Sequence, residues 1–481
     1  MERLNHALEP HRWAVIDFGE APMGDCRRAQ RLQTIGEAMA ANPGASIPQL
    51  FAHPYDVKAT YTFFAHPEVD ADRVGSVHRT WVHEQLEEPG RYLLIEDTTE
   101  LDWSGRSPIK GLGLIGNHRA GAQGLKLQSV LAARWEADAP ADDNGRRPAL
   151  ELLGVVDQQY YRRVPRPKGE KKGASQARKQ RQRESQRWWR TSERLGAAPG
   201  EARWVRVADA EADIYELLLS CQAQGHGYVI RAGQDRALVG AEGCAAVGRL
   251  YGTLRAAPSL GTFDVKLTSR AGQAARTAHL DVSAQAVRLR SPQRPGRSVG
   301  KGPAIACTAV RVWEADAPVG VEALEWMLLC DAPVQSFAQA QQCALQYASR
   351  WLVEEFHKAL KSGLGVERLQ LADGERLKPA AAIMSIVALR LVGLREQVRL
   401  TPQRPADEAG LEPLALQVLR QATERMLRTV EEVALALGRL GGHLNRRQDG
   451  LPGWHTLWRG MRQLDLLVQG VRLSRKLPGF G

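Results

Sequence analysis

The sequence predicts a mixed α/β fold with helical regions at both ends, and three observations carry that prediction. Apolar residues recur at helical spacing from about Gly19 to Glu88 and again after Gly363. Between those ends lie short, nearly continuous apolar runs such as Tyr92 to Ile95, the pattern of strands buried on both faces. From about Gln234 to Asp331, alternating segments broken by Gly, Pro and Ser predict an all-β insertion. A chain of 481 residues is too long for one ordinary core, so two to four domains or subdomains are expected. The expected division is 1–88, helical; 89–365, α/β with the insertion at about 234–331; and 366–481, helical.

In the first region, Leu32, Ile35 and Met39 share one helix face, Asn42-Pro43-Gly44 interrupts the pattern, and Val74, Val77 and Trp81 resume it. The segment GDCRRAQRL brings Arg27, Arg28 and Arg31 together, either to touch phosphates or as ordinary exposed helix charges. Tyr61, Phe63 and Phe64 read as core.

The run Tyr92 to Ile95 stops at Glu96-Asp97-Thr98-Thr99. Glu96 and Asp97 point to opposite faces of such a strand, so only one can border a shared cleft. Leu127 to Arg134 and Leu150 to Tyr160 predict two further strands, completing an antiparallel meander. Tyr161 to Arg190 is dense in Lys and Arg and predicts a surface loop entering a helix near Ser185, anchored by Trp188 and Trp189. That loop is either a DNA-backbone contact or simply solvated. Arg203 to Ala208 predicts a strand ending at Asp209, the end where open sheets place ligands, followed by a helix from Glu211 to Cys221. Asp213 falls one turn further on, and Gly227 to Ala232 is a further short strand.

Tyr347 to Lys361, YASRWLVEEFHKALK, predicts one continuous amphipathic helix. At 100° per residue, Tyr347, Arg350, Glu354 and Lys361 fall at roughly 0°, 300°, 340° and 320°, a narrow polar stripe bordering a cleft. Leu345, Ala348, Leu352, Phe356 and Ala359 form the opposite, buried side.

Composition narrows the class. Hydrophobic residues make up 43%, as in soluble globular proteins, and no run is expected to reach the roughly 20 apolar residues of a membrane helix. MERLNHALEPHRW lacks a signal-peptide core, so a cytoplasmic protein without a membrane partner is expected. Six scattered cysteines without a C-x-x-C pair predict neither a zinc site nor a disulfide framework. Lys plus Arg exceed Asp plus Glu by 65 to 54, a net charge of +11 that favours a polyanionic partner.

Three ordered stretches give a family resemblance: LLIEDTTEL (93–101), VADAEADIY (207–215), and Y-x2-R-x3-E-x6-K at Tyr347, Arg350, Glu354 and Lys361. Together they resemble the bacterial cut-and-paste DDE transposases of the insertion-sequence-four family. The resemblance implies a ribonuclease H-like catalytic core with a β insertion, a helical N-terminal DNA-binding domain and a helical C-terminal dimerisation region. It implies that Asp97, Asp209 and Glu354 are the catalytic carboxylates holding two Mg²⁺ ions, with Mn²⁺ able to substitute. Hard divalent cations take such oxygen ligands, and a two-metal site needs no covalent protein nucleophile for phosphoryl transfer. Glu96, Glu100, Asp213 and Glu355 are the neighbours most easily confused with the three.

By the same resemblance, Tyr347, Arg350 and Lys361 contact phosphates, and Arg27, Arg28 and Arg31 grip the transposon end. Trp326, in LEWMLLCD, either stacks near a base turned out of the DNA or is core. Trp454, Leu457 and Trp458 belong either to subunit pairing or to plain core packing. The implied reaction is nicking at terminal inverted repeats, a hairpin intermediate, hairpin opening, and joining of 3′-hydroxyl ends to target DNA by a homodimer. KLQSVL departs from the family pattern, with Gln128 where many relatives carry His, and the basic loop looks long. A hydrolysing nuclease or resolvase on the same fold, and a non-catalytic DNA-binding derivative, are the alternatives.

Overall fold

Asp25 opens the second N-terminal helix by accepting a 2.7 Å hydrogen bond from the Arg27 N–H, satisfying one of the donors a helix start leaves over. The structure, a computed structural model, describes residues 10–116, 122–137, 148–163, 186–240, 246–267, 276–292, 302–446 and 449–475. The N-terminal region is helical as expected: α1 (Pro10–Phe18), α2 (Cys26–Ala41), α3 (Pro54–Ala65) and α4 (Ser76–Glu87). Phe18, Leu32, Ile35 and Phe64 are buried there, whereas Tyr61 is exposed, which corrects its assignment to the core.

These helices share one continuous core with the sheet and with the later helices. Asp17 Oδ1 and His78 Nδ1 are 2.9 Å apart, and His78 Nε2 accepts a 3.0 Å hydrogen bond from the Val155 N–H of the sheet. The imidazole thus joins the helical region to the strands with both nitrogens engaged.

Strand β1 (Gly90–Asp102) continues through the acidic residues rather than stopping at them, because alternation gives Glu96 and Asp97 a face each. It pairs antiparallel with β3 (Gln123–Arg134), which carries a short β2 (Gly113–Leu114) on one edge and β4 (Glu151–Tyr161) along its length. The expected meander is present. On its other side β1 pairs in parallel with β5 (Ala202–Ala208), and β5 in parallel with β6 (Gly227–Arg231). Helix α5 (Gln186–Leu195) precedes β5 and buries Trp188; α6 (Tyr215–Ala223) follows a single 3₁₀ turn at Ala210–Ala212, so the helix expected from Glu211 starts later. The middle of the basic stretch, residues 164–185, lies outside the described residues.

The insertion is not a separate all-β unit. Its strands β7 (Ala237–Val239), β8 (Ala246–Arg249), β9 (Gly261–Leu267), β10 (Arg276–Leu289), β11 (Ile305–Glu314) and β12 (Glu325–Cys330) extend the first sheet, joined where β12 pairs antiparallel with β6. It also contains a helix, α7 (Leu250–Ala256), packed on β10 and β11.

The stretch expected to form one helix is α8 (Phe337–Ala348), a break, and α9 (Trp351–Lys358). The buried Ser349 causes the break. Its hydroxyl donates to the Leu345 carbonyl at 3.0 Å, and its N–H is shared between Leu345 and Gln346. Back-bonding of this kind bends helices. Ala359–Gly363 then widens into a π turn, with the Leu364 N–H on the Ala359 carbonyl at 2.8 Å.

Helix α10 (Gly374–Leu400) is long and apolar enough to cross a membrane, contrary to the expectation that no such stretch exists. It is apolar on all sides because it is the central helix of the core and nearly all of it is buried. Helices α11 (Pro413–Thr423), α12 (Val430–Leu440) and α13 (Trp454–Ser474) follow, with a core of their own. Cys330 and Cys343 form a disulfide, which the scattered spacing did not predict, and Cys26 is exposed.

Candidate active site

The register between β1 and β5 brings the two aspartates side by side. Ile95 faces Val207 in the parallel ladder, and two residues further along both strands stand Asp97 and Asp209. Adjacent strands lie about 4.8 Å apart, so the carboxylates emerge next to each other just past the last parallel pair of β1 and β5. Each is held by the backbone just downstream: the Thr98 N–H donates to Asp97 Oδ1 at 2.7 Å and the Glu211 N–H to Asp209 Oδ1 at 2.9 Å.

Glu354 arrives from the first turn of α9, which packs against β1. Between it and Asp97 lies Arg350, donating through one guanidinium nitrogen to Asp97 Oδ2 at 3.2 Å and through the other to Glu354 Oε1. Burial pushes the Asp97 carboxyl up to about 7, with the Asp209 charge adding to the rise, the Thr98 N–H and Arg350 opposing it, and Glu354 raising it further. Asp97 therefore senses both other carboxylates. Among the described residues no three Asp, Glu, His or Cys side chains close into a ready-made metal cage. Here a guanidinium lies between two carboxylates, the place a cation would take.

The acidic neighbours are all committed elsewhere. Glu96, wholly buried on the opposite face, accepts from Arg206 at 2.8 and 2.6 Å. Asp213, also buried, accepts from the Gly233 and Gln234 N–H groups and from Arg236. Glu100 accepts from the Gly116 N–H at 2.8 Å, and Glu355 pairs with Arg395 at 3.1 Å. Gln128 is buried and donates to Thr191 at 3.2 Å, behind the cleft.

Other expected site residues stand differently. Tyr347 is buried rather than on an open stripe, with its ring 5.3 Å from that of Trp326, and its side chain stays hydrogen-bonded to Arg350. Trp326 is half-buried in the same contact, its ring engaged by the protein. Lys361 donates to the Glu100 carbonyl at 2.8 Å and pairs with Glu367 at 3.1 Å. Arg28 is tied to Met23, His66 and Glu68, and Arg31 to Asp56, whereas the Arg27 side chain is exposed with no such tie among the described residues. Trp454 and Leu457 are buried inside the subunit and Trp458 is half-buried against the core, so core packing accounts for them.

Two features escaped sequence reasoning: the Glu96–Arg206 pair and Arg187, which reaches both aspartate segments from α5. The available signal was a charge within each of two otherwise apolar strands, LLIED and WVRVA.

Two neighbouring aspartates, with a glutamate bridged to one of them by an arginine, are groups that could receive a cation or meet a phosphate. A more particular indication comes from the N-terminal helices. Residues 10–69 match the family model described as transposase DNA-binding. The match supports a transposase with DNA as its partner.

Proposed function

We propose that this chain is a DDE transposase that binds terminal inverted repeats, cuts at the transposon ends through a hairpin intermediate, and joins the 3′-hydroxyl ends to target DNA. The observation that carries the reading is the gathering of Asp209 and Glu354 around Asp97, with Arg350 bridging Asp97 and Glu354, in a chain whose first helices match a transposase DNA-binding domain. Three antiparallel strands followed by two parallel ones, with Asp97 within β1 and Asp209 just after β5, are compatible with a ribonuclease H-like core.

The donor set suits Mg²⁺: three carboxylates offer only hard oxygen ligands, and their mutual repulsion is relieved by positive charge. Asp97, Asp209 and Glu354 would hold it. When bound, a metal pair activates the attacking oxygen and stabilises the departing one. The chain's own residues do the positioning. Thr98 and Glu211 fix the aspartate rotamers, and Arg350, on leaving Asp97 and Glu354, presents a forked donor to a phosphate. Water attacks the phosphodiester at the transposon end first, leaving a 3′-hydroxyl on the transposon and a 5′-phosphate on the flank. That hydroxyl attacks the opposite strand's phosphodiester, closing the hairpin and releasing the flanking DNA with a 3′-hydroxyl. Water opens the hairpin and regenerates the 3′-hydroxyl, which then attacks a target phosphodiester, joining to the target 5′-phosphate and releasing a target 3′-hydroxyl.

Holding one end while the other is cut requires two subunits. For that pairing α13 offers Leu466, Leu467 and Leu473, all exposed, rather than Trp454 and Leu457.

The test is incubation with Mg²⁺ and a fragment bearing the element's own inverted repeats. Hairpin and joined products support the proposal; simple hydrolysis alone favours a nuclease, and DNA binding without cleavage a non-catalytic derivative.

A further inference from the structure

Arg187, in the first turn of α5, ties the two aspartate-bearing segments together. Its side chain is only 7% exposed although it is charged. Nε donates to Thr98 Oγ1 at 3.0 Å, and a terminal nitrogen donates to Glu211 Oε2 at 2.5 Å. The guanidinium lies 5.1 Å from the Trp188 ring and 5.8 Å from that of Tyr161, which restricts its movement. Thr98 and Glu211 are the two residues whose backbone N–H groups hold Asp97 and Asp209. One rigid fork therefore links the side chains of both residues that orient the aspartates.

We propose that Arg187 is a positioning residue that sets the relative placement of Asp97 and Asp209, and through it the affinity of the site for divalent cations. The proposal rests on the metal-holding role given to these aspartates above. Arg187 acts through Thr98 and Glu211, as outer-shell partners of metal ligands do. Loss of such partners typically weakens metal binding by about ten- to a hundredfold.

The experiment is a Mn²⁺ titration of the DNA-free full-length protein, followed by electron paramagnetic resonance of the unbound ion, with a thermal melt of each variant. Arg187→Ala is expected to weaken Mn²⁺ binding about tenfold. Arg187→Lys keeps the charge without the fork and should recover only part. Should Arg187→Ala fail to fold, Glu211→Ala carries the test, since that side chain is 63% exposed and its removal leaves the core intact. It is expected to weaken binding, by less than Arg187→Ala does, at an unchanged melting temperature. Unchanged Mn²⁺ affinity in Arg187→Ala, or in Glu211→Ala if that variant carries the test, overturns the positioning role, provided Asp209→Ala loses binding. If Asp209→Ala binds Mn²⁺ like the parent protein, the metal site itself is refuted and the positioning role falls with it.

Discussion

Glu96 and Asp97 are neighbours on one strand, and each faces an arginine, yet the two pairs sit in opposite physical situations. Glu96 and Arg206 are fully buried and locked in a two-point contact, further held by Ser192 Oγ, which accepts from Arg206 at 2.7 Å. Burial works against both charges there. Glu96 more than offsets it for Arg206, whose pKa is raised; Arg206 offsets it only in part for Glu96, whose pKa is also raised. Asp97 and Arg350 meet by a single, longer contact at the rim of a cleft, with two more carboxylates close by. The first pair is a closed fastening, whereas the second can exchange one cation for another.

The largest expected difference between the two faces is in chemistry. Asp97→Asn should abolish end nicking, on the order of a thousandfold or more, while leaving the fold intact, as read by product gels beside circular dichroism. A variant that still nicks would place the reaction elsewhere.

Stability should show the reverse. Arg206→Met strands a buried carboxylate and should cost about 3–5 kcal/mol by denaturant unfolding, whereas replacing both partners with apolar residues should restore much of it. An unaffected single variant would mean that the closed pair is no fastening.

The smallest effect concerns pH in the absence of divalent ions. Because Asp97 is raised to about 7, the folded protein keeps a proton that the unfolded chain has released between the ordinary carboxylate range and that pH. Stability contributed by that proton is present at low pH and lost as pH rises through this window, by at most a few kcal/mol. Asp97→Asn should flatten the slope, and chelated and Mg²⁺-loaded melts across pH 4–8 would measure it.

Much of the site was legible because strand alternation and the ends of apolar runs are local properties. Asp97, Asp209 and Glu354 could each be placed at a strand or helix position from neighbours within a few residues. What failed depended on partners far along the chain. Nothing in LEWMLLCD shows that β12 will lie beside β6, so the pairing that makes the insertion part of the first sheet could not be read from the sequence. Arg206 reads as an ordinary alternation residue until Glu96, over a hundred positions earlier, is found opposite it. A uniform 100° step ignores Ser349, whose hydroxyl bends the chain just before Arg350, yet Tyr347 still meets Arg350; what the step missed is that Tyr347 is buried.

The seam between β6 and β12 has a consequence for how this chain can vary. A shorter version made by excising residues 234–331 would strip β6 of its neighbour and bare a row of unpaired amides along an apolar ribbon. Such an edge recruits other chains, so trimming there invites clumping instead of yielding a smaller working protein. Size changes are better tolerated at the far margin, around β8, whose residues already face solvent.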